Sequence, residues 1–149
     1  MKTILILEDE PSVLKLLRLV LKHYHVIEAT TAEQAFRVFA RGDCRVDLLL
    51  TDVRLPTLSG IQVALQIRLG LPDLPVLLVT GYPSGGWRGV DAEDLERLGP
   101  HSVVLLPKPF QAQALLSAVD DKSERGPCRN RKAGGGNRLK RAAIASGRR

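Results

Sequence analysis

Cysteine is nearly missing from the chain: Cys44 and Cys128 stand alone among 149 residues, with no Cys-x-x-Cys pair and no histidine at metal-ligand spacing. A disulfide framework and a thiolate zinc site are therefore excluded, and two free thiols remain. His23, His25 and His101 are too scattered to form a metal or catalytic cluster. Long apolar runs are missing too. None approaches the roughly 18 residues that span a bilayer, and the opening Met-Lys-Thr-Ile-Leu-Ile-Leu turns acidic at Glu8, too soon for a secretory signal. The chain is expected to be soluble and cytoplasmic, with no membrane insertion. There is no internal repeat, no dinucleotide-binding glycine fingerprint and no P-loop.

Acidic residues are almost lacking from one segment only. Residues 1–122 carry 13 Lys and Arg against 15 Asp and Glu, whereas residues 123–149 carry 9 against 1. The net charge of +6 therefore belongs to the end of the chain. That end has a Gly-Gly-Gly run, no aromatics and almost no apolar period, so it cannot bury enough surface to offset its ordering entropy. Residues 1–121 are expected to form one domain, and residues 122–149 a basic, disordered tail. Such a tail could contact nucleic acid phosphates. That reading is not favoured, because the tail has neither aromatic interleaving nor a helical period.

What is present within residues 1–121 is an alternation of short apolar runs with longer amphipathic stretches, the pattern of βαβ units. Strands are expected at 3–7, 25–29, 47–51, 75–80 and 102–106, each apolar or β-branched as suits strands covered on both faces. Helices are expected from Pro11 to Lys22, from Thr31 to Gly42, from Ser59 to Gly70, from Asp91 to Leu98 and from Gln111 to Asp121. Pro11 suits a first helical turn, and Thr31 with Gln34 has capping-box spacing. The inward residues are expected to include Val13, Leu17, Val20 and Leu21, then Ala35, Val38 and Phe39, then Ile61, Leu65 and Ile67, and finally Ala114, Leu115 and Val119. Gly81 to Gly89 is rich in breakers and reads as a loop, where Trp87 would cover the surface or meet a partner. The fold class expected from this pattern is α/β, a doubly wound parallel sheet of five βα units.

The strand ends carry the chemistry. Glu8 and Asp9 follow the first apolar run, Asp52 the third, Thr80 the fourth and Lys108 the fifth. In a parallel sheet these ends share one edge, so three carboxylates, a hydroxyl and an amine converge, with Asp52 expected deepest. Carboxylates so close repel unless a proton or cation relieves them, and an oxygen-only set suits Mg²⁺ better than Zn²⁺. Asp52 could then accept a phosphoryl group, with Lys108 and Thr80 meeting the transferred oxygens.

These motifs resemble the receiver domain of two-component response regulators, as in chemotaxis and hybrid-kinase receivers, over residues 1 to about 121. The most specific stretch is Asp52-Val53-Arg54-Leu55-Pro56-Thr57-Leu58-Ser59-Gly60, with apolar-Pro four residues after the Asp and Gly eight after it. Glu8-Asp9-Glu10-Pro11 resembles the family's acidic motif, Thr80-Gly81 its switch threonine with a small neighbour, and Lys108-Pro109-Phe110 its lysine and usually cis-bonded proline. The resemblance implies a flavodoxin-like, doubly wound (βα)5 fold with strand order 2-1-3-4-5, and a single-domain response regulator, a phosphoacceptor rather than a conventional enzyme. Asp52 would take a phosphoryl group from a histidine kinase or histidine phosphotransfer protein in a Mg²⁺-dependent phosphorelay and switch protein contacts. It implies Glu8, Asp9, Asp52 and the Arg54 backbone carbonyl as metal ligands, with Thr80 and Lys108 closing on the phosphate.

Two departures from the family pattern stand out. Leu105 occupies the place of an aromatic switch residue three before the lysine, so Tyr82, two after Thr80, is expected to take the moving role. The fourth helix is short and glycine-rich at its start. The alternative reading is a pseudo-receiver that binds a partner, or nucleic acid through its tail, without phosphorylation. A flavodoxin is disfavoured because Glu8, Asp9 and Glu10 would repel a flavin phosphate. An aspartyl-phosphate hydrolase is disfavoured because Arg54 stands where its second Asp would be.

Overall fold

The computed structural model describes residues 1–81, 90–99 and 103–124. Its strands are β1 (Thr3–Leu7), β2 (His25–Ala29), β3 (Leu48–Asp52), β4 (Val76–Thr80) and β5 (Val103–Pro107). Its helices are α1 (Pro11–Val20), α2 (Ala32–Arg41), α3 (Gly60–Arg68), α4 (Val90–Leu98) and α5 (Ala112–Glu124). All strand pairs are parallel, and the order is β2-β1-β3-β4-β5. This is the expected doubly wound topology.

Alternation along the strands divides the core into two layers. Leu5, Leu7, Leu49 and Leu78 pack with Ala35, Phe39, Ile61, Ala64 and Leu98 from α2, α3 and α4. Ile4, Ile6, Leu48, Leu50 and Leu77 pack with Leu14, Leu17, Leu115 and Val119 from α1 and α5. Full burial of one such aliphatic side chain contributes about 1.5–3 kcal/mol, so the four core residues of β1 alone contribute on the order of 10 kcal/mol before entropy is charged.

Coverage on both faces holds for β1, β3 and β4, which are buried throughout. It does not hold for β2 and β5. Each ends the sheet: His25 and Glu28 of β2 are exposed, and Val103, Val104 and Leu105 of β5 are half-buried. The helix faces also differ in detail. Leu14 joins Leu17 in the core, Leu65 is only half-buried while Val63 and Ala64 are buried, and Ala114 is exposed beside buried Leu115 and Val119. Leu115 and Val119, four residues apart on α5, form its inward stripe as expected, and Ala114 is rotated about 100° from Leu115. The same helix runs to Glu124, past the expected end of the domain.

Local signals set the helix starts. The Ser59 hydroxyl accepts from the Gln62 N–H at 3.1 Å, and the Gln62 side chain accepts from the Ser59 N–H at 3.1 Å, a complete capping box on α3. At α2 the box is only half made. Thr31 accepts from the Gln34 N–H at 3.2 Å, but the Gln34 side chain reaches one residue further back, to the Thr30 N–H at 2.7 Å. Gly42 closes α2 with φ +66°, a left-handed conformation that glycine adopts without a Cβ clash.

β3 lies one residue further along than expected. Asp47 is no strand residue: its N–H donates to the Thr3 carbonyl at 2.8 Å, and its carboxylate accepts from the Thr3 N–H at 2.9 Å. At its other end the ladder includes Asp52, opposite Val79. Tyr82, Trp87, His101, Cys128 and residues 125–149 lie outside the described residues.

Candidate phosphoacceptor and metal site

Three strand ends and the turn after a fourth build the site. β1 delivers Glu8 and Asp9, β3 ends on Asp52, β4 ends on Thr80, and Lys108 follows β5. Backbone pairing continues past the strands: the Glu8 N–H donates to Ala29 at 3.0 Å, Val53 to Val79 at 3.0 Å, and Lys108 to the Thr80 carbonyl at 2.7 Å. Glu8, Asp52, Thr80 and Lys108 are thereby held to neighbouring strands, and Asp9 follows Glu8 after the end of β1.

Carboxylate oxygens of Glu8, Asp9 and Asp52 all lie within 4.8 Å of one another. Glu8 is the most buried, at 1% exposure against 8% for Asp52, while Asp9 is exposed. The expectation that Asp52 sits deepest is therefore corrected. The Glu8 carboxylate is folded into the turn after β1, accepting from the Glu10 N–H at 3.1 Å, whereas the Asp52 carboxylate lies beside exposed Arg54 and half-buried Lys108. The Lys108 ammonium stands 3.0 Å from Asp52 Oδ2 and 3.7 Å from Glu8 Oε2. On the other side of Asp52, Oδ1 accepts from the Arg54 N–H at 3.1 Å, and the Arg54 side chain is exposed.

Electrostatics follow from this geometry. Burial pushes the Glu8 carboxyl up to about 7. A hydrogen bond from the Glu10 N–H opposes that shift, the Asp52 charge adds to it, the Lys108 charge opposes it, and a hydrogen bond with Asp9 adds to it. For Lys108, partial burial favours the neutral amine, but the Asp52 hydrogen bond and the charges of Asp52, Glu8 and Glu10 outweigh it and raise its pKa. The lysine is thus held protonated and donates to the Asp52 carboxylate.

Gly60 supports this arrangement from behind. A Cβ there would collide with the Asp52 carbonyl oxygen and lie 2.7 Å from Thr51 Oγ1. Only glycine lets the turn after β3 fold back so closely, with the Gly60 N–H donating to the Val53 carbonyl at 2.8 Å. Thr51 was not singled out in the sequence. It is fully buried, and its hydroxyl donates to the Asp52 carbonyl at 2.9 Å. A lone polar residue at the end of a leucine run was the available signal.

Of the expected site residues, Glu8, Asp9, Asp52 and Lys108 come together. Thr80 is buried at the end of the adjacent strand, directly opposite Pro107, and its carbonyl anchors Lys108. Leu105 is half-buried and packs into the layer formed with α2, α3 and α4. Tyr82 falls outside the described residues. The Lys108–Pro109 peptide bond is cis. The three-carboxylate cluster is an oxygen-only donor set, which fits a hard divalent cation and not one that requires nitrogen or sulfur.

Comparison with known proteins agrees with this geometry. The family model for the response regulator receiver domain matches residues 4–120. The transcriptional regulatory protein GlrR of Escherichia coli is 33% identical over 123 residues, covering 81% of this chain and 26% of that protein. The response regulator MprA of Mycobacterium leprae is 34% identical over 120 residues, covering 78% of this chain and 48% of that protein. The chain thus spans between a quarter and a half of the length of these curated relatives. Among solved structures, the signal receiver domain of an HD domain-containing protein from Pseudomonas fluorescens is 25% identical with a TM-score of 0.71, covering 83% of this chain and 95% of that one. The receiver domain of the hybrid histidine kinase CckA is 27% identical with a TM-score of 0.65, covering 81% and 98%. No helix among the described residues is long and apolar enough to cross a membrane. With its strand order, its acidic strand ends and a family match across residues 4–120, the chain belongs to the receiver domains of two-component response regulators.

Proposed function

We propose that the module formed by residues 1–121 accepts a phosphoryl group on Asp52 from a phosphohistidine of a histidine kinase or phosphotransfer protein. The observation that carries this reading is the placement of Asp52 between the Lys108 ammonium, 3.0 Å away, and the carboxylates of Glu8 and Asp9. In the transfer, an Asp52 carboxylate oxygen forms a bond to phosphorus as the phosphorus–nitrogen bond to the donor imidazole breaks. The products are an acyl phosphate and a neutral imidazole once it takes a proton.

The chain's residues have separable roles in this scheme. Lys108 pairs with Asp52 in the resting site and would exchange that contact for a phosphoryl oxygen. Thr80, at the adjacent strand end, would donate its hydroxyl to another. The Arg54 N–H orients the Asp52 carboxylate, leaving Oδ2 toward Lys108. Glu8, Asp9, Asp52 and the Arg54 carbonyl would hold Mg²⁺. When bound, the ion supplies positive charge against the carboxylates and the phosphoryl oxygens. A phosphoryl group of charge about −1.5 to −2 then draws Thr80 and Lys108 inward and alters the surface of α4, β5 and α5, which partners read. Tyr82 and Leu105 are assigned tuning roles in that switch.

Intact-mass spectrometry after incubation with acetyl phosphate, with and without Mg²⁺, tests the reading. The wild type should gain one phosphoryl group only with metal, and Asp52→Asn should gain none. Equal labelling of the mutant would move the acceptor elsewhere. No labelling under any condition would leave a partner-binding pseudo-receiver.

A further inference from the structure

A groove of about 440 Å³ opens on the flank of α1 beside the edge strand β2. Its apolar lining comes from Leu19, Leu21, Tyr24 and Val26. Its basic lining comes from Lys15, Arg18 and Lys22. Helix α1 runs back from the acidic strand ends toward the opposite edge of the sheet, and the groove extends from its second turn to the start of β2. It is therefore separate from the Asp52 site and shares no residue with it.

Two features mark this surface as unfinished. Leu19 is 63% exposed and Tyr24 and Val26 are only half-buried, so aliphatic and aromatic surface faces water in a concavity. The charge is also one-sided. No acid lines the groove, although residues 1–122 as a whole hold more acids than bases. Arg18 is engaged by Glu28 at 2.7 Å, but Lys15 and Lys22 make no ion pair among the described residues.

We propose that this groove docks an acidic amphipathic helix of a partner protein, its apolar stripe on Leu19, Tyr24 and Val26 and its flanking carboxylates against Lys15 and Lys22. A helix places apolar side chains in one line at i, i+3 and i+4 and leaves room for acids on either side, which matches an apolar trough with a basic rim. A bilayer surface calls for apolar side chains on a protruding face, not a concave one. Nucleic acid would satisfy the lysines but gain nothing from the aliphatic lining. The chain's own residues 125–149 hold nine Lys and Arg and no acid, so they are repelled from the rim.

The test uses the full chain, ¹⁵N-labelled, titrated with two synthetic helices that share one leucine stripe and carry Glu or Lys on both flanks. The Glu-flanked helix should shift the amides of residues 15–26, more weakly as salt rises from about 50 to 300 mM. Lys15→Glu combined with Lys22→Glu should weaken it by about tenfold or more, and the Lys-flanked helix should leave these amides in place. Both lysines are exposed, and an unchanged circular dichroism spectrum would show that the fold persists. No shift in residues 15–26 at about 1 mM Glu-flanked helix, or equal binding by the double mutant, would overturn the proposal. Anionic phosphatidylglycerol vesicles serve as the competing probe; if they, and not the helix, shifted these amides, the partner would be a lipid surface and the proposal would fall. Phosphoryl uptake on Asp52 is read separately in the same samples, so failure at the groove and failure at the acceptor are distinguishable.

Discussion

Glu8 gives the sharpest quantitative expectation, because a buried carboxyl with a pKa of about 7 must lose its proton to ligate a cation. The apparent Mg²⁺ affinity should therefore be nearly constant above pH 8 and fall about tenfold per pH unit below 7, reaching a loss of about thirtyfold at pH 5.5. Calorimetric titration at pH 6.5 in buffers of different ionisation enthalpy should show about 0.8 proton released per metal bound. The metal-free protein should show the complementary stability effect. A carboxyl whose folded pKa lies above its unfolded value of 4.5 is protonated in the folded state and ionised in the unfolded state between those values. The unfolded state then binds fewer protons, so stability falls as pH rises from about 4.5 to 7, by at most roughly 3 kcal/mol. Glu8→Gln should remove most of that fall, and in chelator at pH 8 it should unfold at higher denaturant than the wild type. An Mg²⁺ affinity independent of pH between 5.5 and 8, or a wild type and Glu8→Gln with parallel pH–stability curves, would refute the reasoning.

Other expectations concern the frame around the site. Gly60→Ala forces a methyl group against the Asp52 carbonyl, and should cost about 2–4 kcal/mol in denaturant unfolding while weakening Mg²⁺ binding; an unchanged midpoint would show that the turn simply relaxes. Ser59→Ala removes half of the α3 capping box and should cost about 1 kcal/mol, with phosphoryl uptake retained by mass. Arg68 donates to the Leu74 carbonyl at 2.8 Å and to the Leu98 carbonyl at 2.6 Å, tying the end of α4 to the loop before β4. Arg68→Met should therefore speed amide hydrogen exchange in α4 far more than in α1, and uniform acceleration would sink that assignment. Lys108→Met takes away the cation 3.7 Å from Glu8 and 3.0 Å from Asp52, and should tighten Mg²⁺ binding severalfold in calorimetry; weaker binding would mean that the lysine positions the carboxylates more than it competes for them.

The secondary structure and the acidic edge were legible because each has a one-dimensional signal. Continuous apolar runs marked β1, β3 and β4, and polar residues directly after them marked Glu8, Asp9 and Asp52. Pro11, Ser59 and Gly42 marked helix ends through local backbone chemistry that needs no distant partner. Where the reading slipped, a distant partner was responsible. Asp47 reads as the start of a strand until the Thr3 backbone claims both its N–H and its carboxylate. Ala114 reads as core until the packing of Leu115 and Val119 on the sheet turns it outward.

By itself, the sequence determined which residues could be strands, which could be helices and which side chains would stand at the carboxyl edge of a parallel sheet. Period, capping and residue type act within a few positions, and they require no knowledge of what packs against them. Only the tertiary structure decided that Glu8 is more deeply buried than Asp52, that Lys108 pairs with Asp52 from 56 residues away, and that Gly60 must lack a side chain because the Asp52 carbonyl occupies its place. It also decided that Lys15, Lys22, Tyr24 and Val26, unremarkable in the sequence, share one groove. Burial and electrostatics depend on distances between strands that the chain brings together only by folding, and no local pattern encodes those distances.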